Sequence, residues 1–270
     1  MSKTLLAGPF VGEMGWELFG WQGYLRALSE RYDKTIVITR PLNAAIYADF
    51  ATEVVSYIPS TNKSNYNKCV DELPENYYEQ FDYDDIIPSQ TQLVHWSPSK
   101  GNWGVNKKYI PQGVQQKFIR FGQKAEKEYD IIIHARNTSK LNSGNRNWGY
   151  KNWDKLVQNL HEFKIACVGM PDSSIYVSGT DDMRGVGMQR LMNLMVNSSL
   201  VVGGSSGPLH LASLCDTPHL VWSHRINRNR YLRDWRPFDT ECIFVDQWGW
   251  KPPPQEIEKL ILNCSEFPNS

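Results

Sequence analysis

Val201-Val202-Gly203-Gly204-Ser205-Ser206-Gly207-Pro208-Leu209-His210-Leu211-Ala212 is the stretch on which the fold of this chain turns. Apolar β-branched residues run into a glycine- and serine-rich turn, then into an apolar helix opened by proline. A buried strand that passes straight into a helix leaves backbone N–H groups free at the helix start. Together with the positive end of the helix dipole, they face the space before the turn. Such a turn favours an anion, so a phosphate-bearing ligand is the first expectation. Gly204, Ser205 and Ser206 can bring N–H and O–H groups close to a phosphate, and Gly207 lacks the Cβ that would block approach. In isolation the same turn is an ordinary strand-to-helix connection.

On either side of it strands and helices alternate. Residues 130–135, 165–168, 200–202 and 219–222 read as strands, and 153–163, 188–197, 208–214 and 256–263 as helices. An earlier block does the same, with strands at 4–10, 34–39 and 53–58 and helices at 16–32 and 43–51. Between the blocks, 69–81 and 111–127 read as helices, 92–96 as a strand, and 60–67 and 98–104 as loops. Strand–helix alternation implies parallel sheets. The expected fold class is α/β, two Rossmann-like domains facing a cleft, with ligands at the carboxyl ends of the strands. The expected boundaries are residues 1–127, 128–252, and a closing helix and tail at 253–270.

Composition narrows the function. Twenty-nine basic residues balance twenty-nine acidic ones, so no strong global attraction to nucleic acid or an anionic membrane is expected. The five cysteines are scattered and form no C-x-x-C pair, which fits small buried hydrophobes in a reducing compartment. No apolar run approaches the ~18 residues of a membrane span, and the N-terminus lacks a signal-peptide pattern. A soluble, cytoplasmic protein is expected.

Three further motifs carry chemistry. His134-Ala135-Arg136-Asn137-Thr138 follows a strand directly, which aims Arg136 at the strand end, where its guanidinium can clamp a diphosphate; Arg146-Asn147-Trp148 follows in the same loop. Gly12-Glu13-Met14-Gly15-Trp16-Glu17 places two carboxylates at the first strand-to-helix turn, where one can act as a general base. On these residues alone, favourable placement at a helix dipole for Glu17 and a solvated turn for Glu13 are the preferred readings. The run containing Arg225, Arg228, Arg230, Arg233 and Arg236 can grip phosphates or form a solvated, salt-bridged face. Asp181-Asp182 reads as loop, and no metal site is expected.

These residues together resemble glycosyltransferase family 9, the heptosyltransferases of GT-B fold. The resemblance rests on Ser205-Ser206-Gly207-Pro208-Leu209-His210-Leu211-Ala212, on Thr217-Pro218-His219-Leu220-Val221, and on Arg146-Asn147-Trp148 before a helix. It implies a transferase that takes a nucleotide-diphosphate sugar as co-substrate, inverts the sugar and needs no metal. The acceptor it implies is a saccharide or lipid-linked glycan; a modified nucleic-acid base is the alternative. An overlay on Leu25-Arg26-Ala27-Leu28 puts Glu17 at the place of the family's catalytic acid, with Glu13 the alternative. Arg136, Ser205, Ser206, Gly207 and His210 become the expected diphosphate contacts. Asn137, Arg146, Asn147, Trp148 and Arg225 become the expected lining of the cleft. Ser205 stands where the family carries an acid, so donor or acceptor recognition is expected to differ. The competing reading is a non-catalytic nucleotide- or sugar-binding module of the same shape.

Overall fold

A computed structural model describes residues 2–10, 12–58, 73–74, 76–88, 94–96, 103–105, 112–138 and 145–264. The chain divides into two compact units, Met1–Phe118 and Ile119–Ser270. Each is built on a parallel sheet, so both blocks are Rossmann-like.

The first unit contains β1 (Thr4–Gly8), α1 (Met14–Gly20), α2 (Gln22–Ser29), β2 (Lys34–Thr39), β3 (Glu53–Ser56) and β4 (Asp85–Pro88). Its sheet runs β3-β2-β1-β4, all parallel. Ile36, Val37 and Ile38 of β2 are buried, as befits a strand covered on both faces. The helix expected over 16–32 is present but broken at Trp21, whose backbone leaves the helical region (φ −133°, ψ −66°). Its buried face is locked by Arg26, which grips Asp49 with two nitrogens at 2.7 and 2.9 Å and also donates to Gln22. In place of the helix expected over 43–51 there is a 3₁₀ turn, Pro41–Ile46, opened by its proline. Of the helix expected over 69–81, only the short 3₁₀ turn Tyr77–Gln80 falls among the described residues; residues 69–72 lie outside them. A two-stranded antiparallel pair, β5 (Val94–Trp96) and β6 (Trp103–Val105), stands apart. Its second strand begins within the expected loop 98–104, at Trp103, and runs past its end, whereas the turn expected over 60–67 lies outside the described residues.

The helix expected over 111–127 is absent: residues 112–127 form an irregular segment with a turn at 112–113 and bends at 122 and 126. Gly113 and Gly122 adopt positive φ (84° and 87°), which an α-helix does not accommodate. The backbone N–H groups bond elsewhere, Lys117 to the Gly23 carbonyl, Phe121 to that of Leu214 and Glu128 to that of Asn197. Pairing with distant partners outweighs the helical spacing of the apolar residues.

The second unit contains β7 (Tyr129–His134), α3 (Tyr150–Asn159), β8 (Ile165–Cys167), β9 (Asp181–Asp182), α4 (Met188–Val196), β10 (Ser198–Gly204), α5 (Gly207–Leu214), β11 (His219–Trp222), β12 (Cys242–Val245) and α6 (Pro254–Leu262). The sheet order is β12-β11-β10-β7-β8-β9, again all parallel. Asp181-Asp182, expected as loop, is thus a short edge strand. It is exposed, and Asp182 is ion-paired with Arg184 at 2.8 Å. The core gathers Ile131, Ile133, Leu156, Leu200, Val202, Leu220 and Ile257 around three indoles, Trp148, Trp153 and Trp222. Their ring centroids lie 4.8 to 5.3 Å apart.

Candidate functional site

In a parallel sheet the crevice for a ligand opens beyond the carboxyl ends of the strands, where the connections switch direction. In the second unit that point lies between β7 and β10: the chain leaves β7 toward β8 and β9 on one side, then returns to place β10, β11 and β12 on the other. Register pairs His134 with Gly203, so the ends of β7 and β10 stand side by side. The loop with Arg136 and the turn into α5 therefore converge.

Ser206 is the N-cap of α5, with extended backbone (φ −164°, ψ 172°), and Pro208 sits in the first turn. The Ser206 hydroxyl does not cap the helix; it lies 2.8 Å from Nδ1 of His134. Nor does the Ser205 hydroxyl face outward. It is buried and accepts a hydrogen bond from the Tyr231 hydroxyl at 3.0 Å, while the Ser205 N–H completes the ladder to Trp222. His210 is buried, stacked on Tyr231 at 4.5 Å and edge-on to Trp235 at 4.7 Å. Burial, with the charge of Arg230, holds its imidazole neutral. Ser205 and His210, expected as diphosphate contacts, instead build the floor beneath the turn. The surface of the turn is formed by the partly exposed Ser206, Gly207 and Pro208.

Arg136 is fixed from both ends. Residues 135–137 pair with 173–175, through Ile175 N–H to the Ala135 carbonyl and Asn137 N–H to that of Ser173. The guanidinium donates to Oδ1 of Asn147 at 2.5 Å. Asn147 in turn binds the backbone of Thr138, accepting from its N–H at 3.2 Å and donating to its carbonyl at 3.1 Å. Asn147 thus braces the arginine loop, and Asn137 is exposed beside it. Arg146 stacks over the ring of Trp250 at 5.5 Å. Trp148, expected on a binding surface, is a core residue whose indole N–H donates to the Pro252 carbonyl at 2.8 Å. Residues 139–144 of this loop lie outside the described residues.

Of the arginine run after β11, Arg228 pairs with Asp246 and Arg233 with Asp234. Arg236 binds the carbonyls of Thr240 and Asp239, and Arg230 lies over Trp235 at 4.6 Å. Arg225 is exposed in a 3₁₀ turn just beyond β11. The run is mostly a braced surface, with Arg225 exposed at the end nearest β11.

His134 is the residue whose importance the sequence did not display. It ends β7, is 6% exposed, and lies against Gly169, where an added Cβ would fall 2.7 Å from the ring. Burial, with Arg136 nearby, lowers its pKa to about 4, so the ring is neutral at physiological pH. Its place two residues before Arg136, at a strand end, was the available signal.

In the first unit the switch point lies between β1 and β4, and β1 leads into the acidic turn. Gly8 (φ 110°) must be glycine, because a Cβ there would fall 2.2 Å from the Ile38 carbonyl oxygen. Arg40 braces the turn by donating to the Gly12 carbonyl at 3.1 Å. The two carboxylates of this turn differ completely. Glu17 is 0% exposed and accepts from Thr39 (2.9 Å), Asn43 (2.5 Å) and Tyr47 (2.7 Å). Burial pushes its carboxyl above the ordinary value, opposed by the bonds from Tyr47 and Thr39 and by the charge of Arg40. Glu13 is the exposed N-cap of α1.

Among the described residues no group of three or more His, Cys, Asp or Glu side chains could hold a metal ion, and no helix is long and apolar enough to cross a membrane.

No protein-family model and no curated protein sequence matches the chain. Solved structures do. Heptosyltransferase WaaC of E. coli with ADP is 10% identical, with a TM-score of 0.60 over 96% of this chain and 98% of its own. E. coli ADP-heptose lps heptosyltransferase II is 11% identical, with a TM-score of 0.58 over 97% of each chain. A glycosyl transferase family 9 protein of Veillonella parvula is 10% identical, with a TM-score of 0.59 over 99% of this chain and 94% of its own. Over nearly its whole length, this chain has the fold of the family 9 glycosyltransferases and is their remote structural relative.

Proposed function

We propose that this protein is a glycosyltransferase that moves a sugar from a nucleotide-diphosphate sugar to a hydroxyl of a saccharide acceptor, with inversion and without a metal ion. The observation that carries the reading is the convergence of Arg136 and the uncapped start of α5 at the β7/β10 switch point, in a fold shared with heptosyltransferases. A diphosphate placed there meets backbone N–H groups, the helix dipole and a braced guanidinium, all set before the reaction begins. These groups counter the charge that grows on the leaving diphosphate, and donors so placed are worth about 3 kcal/mol each to a transition state. Arg225 and Asn137 border the same edge and reach the rest of the donor.

For the base we choose Glu13 over Glu17. A general base must meet the proton it takes. The oxygens of Glu17 are sealed from solvent and already occupied by three donors, whereas Glu13 is exposed. Glu13 takes the proton of the acceptor hydroxyl as its oxygen bonds to the anomeric carbon. The bond from that carbon to the diphosphate breaks on the opposite face, the electron pair leaves with the phosphate, and the centre inverts.

Thermal-shift titration with ADP-, UDP-, GDP- and dTDP-sugars tests the donor site. A ligand at a hundred times its Kd stabilises the native state by about 2.7 kcal/mol, so at least one should raise Tm by several degrees. If none of the four nucleotides does, the donor reading is wrong.

A further inference from the structure

We infer that Arg184, gripped by Asp182, is a positioning residue: it supports the outer side of the bridge between Ser174 and Arg136 and so sets the Arg136 guanidinium at the donor crevice. The inference deepens the donor-site reading and rests on it.

Arg136 lies two residues beyond the end of β7, and an antiparallel bridge to Ser174 holds its backbone there. The bonds of that bridge run from the Ile175 N–H to the Ala135 carbonyl (2.9 Å) and from the Asn137 N–H to the Ser173 carbonyl (2.8 Å). They come from the neighbours on either side, so the carbonyl of Ser174 itself turns away from Arg136. Ser174 is 3% exposed, and a buried carbonyl needs a partner of its own. Nη1 of Arg184 supplies one, donating at 3.0 Å. The next carbonyl, that of Ile175, accepts from the Cys167 thiol, a weak donor, at 3.2 Å. Arg184 is thus the charged donor on the outer side of this segment.

Arg184 is itself held in place. Both carboxylate oxygens of Asp182 accept from it, at 2.8 Å each, a two-point pairing that fixes the direction of a guanidinium. The backbone on either side is tied to the end of β8, with the Met183 N–H on the Cys167 carbonyl at 2.9 Å and the Gly185 N–H on that of Gly169 at 2.8 Å. The ring of Tyr176 lies 5.8 Å from the guanidinium. Both carboxylates of the acidic pair are therefore engaged within the fold, since Asp181 accepts from the Tyr129 hydroxyl at 3.0 Å. An ion pair with one partner this exposed adds little to stability. Its loss should be felt in the placement of Arg136 more than in the melting temperature.

Calorimetry with pyrophosphate, ADP, GDP, UDP and dTDP tests this chain of contacts. Arg184→Ala should weaken binding by about fivefold. Because the effect passes through Arg136, the same substitution in an Arg136→Ala background should change affinity by less than about twofold, the scatter expected of uncoupled sites. A residue with a merely structural role weakens binding equally in both backgrounds. Arg184→Lys keeps a cationic donor for the Ser174 carbonyl and should recover part of the loss. Asp182→Ala should weaken binding about threefold, with the same dependence on Arg136. Its carboxylate is 43% exposed, so this variant carries the test if Arg184→Ala does not fold.

Wild-type affinity in both Arg184→Ala and Asp182→Ala, or an equal loss with and without Arg136, overturns the inference while the donor site stands. Failure of the wild type to bind any of the five probes overturns both.

Discussion

The β1–α1 and β10–α5 turns each leave a strand at the switch point of its parallel sheet, one before the chain reverses and one after. They treat their polar side chains in opposite ways. The β10–α5 turn draws both serine hydroxyls inward, to Tyr231 and His134, and leaves the helix backbone at the surface. The β1–α1 turn draws one carboxylate, Glu17, inward and leaves the other, Glu13, at the surface. One turn is thereby suited to receive negative charge and the other to present it. Topology fixes where a site can form; the inward hydrogen bonds fix which groups are left to form it.

The comparison is broken most severely at Glu13. Glu13→Gln should lower the turnover of sugar transfer by about 10²- to 10⁴-fold, the usual worth of a general base, with donor affinity unchanged. An unaltered rate in a steady-state assay returns the base to another residue, unaltered rates in both Glu13→Gln and Glu17→Gln remove both carboxylates from that role, and donor binding by a wild type that transfers no sugar would favour a binding module. Glu17→Ala acts through the fold. It leaves the buried donors of Thr39, Asn43 and Tyr47 without their acceptor, a loss of about 3 kcal/mol in stability, to be read from the denaturant midpoint. A midpoint within 0.5 kcal/mol of the wild type, by the same rough measure, would show that these donors find other partners.

Acid gives a third test. Burial lowers His134 and His219 to about 4, against about 6.5 in the unfolded chain. Above pH ~6.5 both states are neutral and the full stability is present. As pH falls below that, the unfolded chain binds protons that the fold refuses, and stability is lost down to pH ~4. The loss is about 2 kcal/mol per histidine at pH 5. Replacing His219 by Gln should flatten this part of the pH–stability curve, and an unchanged slope argues against its neutral burial. The smallest effect is expected at Arg136: Arg136→Ala should weaken nucleoside-diphosphate binding by about 1.5 kcal/mol, just over tenfold, and Arg136→Lys should recover only part of it.

The strands were legible because parallel strands are apolar throughout; Thr35-Ile36-Val37-Ile38 and Ile131-Ile132-Ile133 need no context. β4 was missed, since an edge strand beginning at Asp85 and ending at Pro88 shows only two apolar residues between them. The irregular segment over 112–127 reads as a helix in the sequence because its hydrogen-bond partners are remote. The location of the candidate site was legible too, from a glycine-rich turn and an arginine at strand ends. The direction of its side chains was not. Ser206 turns toward a residue 72 positions away and Ser205 toward one 26 positions away. The three donors that seal Glu17 lie 22, 26 and 30 positions further along the chain. Local sequence says that a polar group stands at a turn, and only tertiary packing says which way it faces.

The three indoles at the centre of the second unit have a practical consequence. Rings 4.8 to 5.3 Å apart share electronic excitation, so Trp148, Trp153 and Trp222 form a chromophore that exists only while this core is assembled. Its near-ultraviolet dichroism reports the integrity of the second unit alone, against a first unit that contributes no member of the trio. The second unit thus carries a built-in optical label, and its melting can be followed without adding a dye or removing a residue.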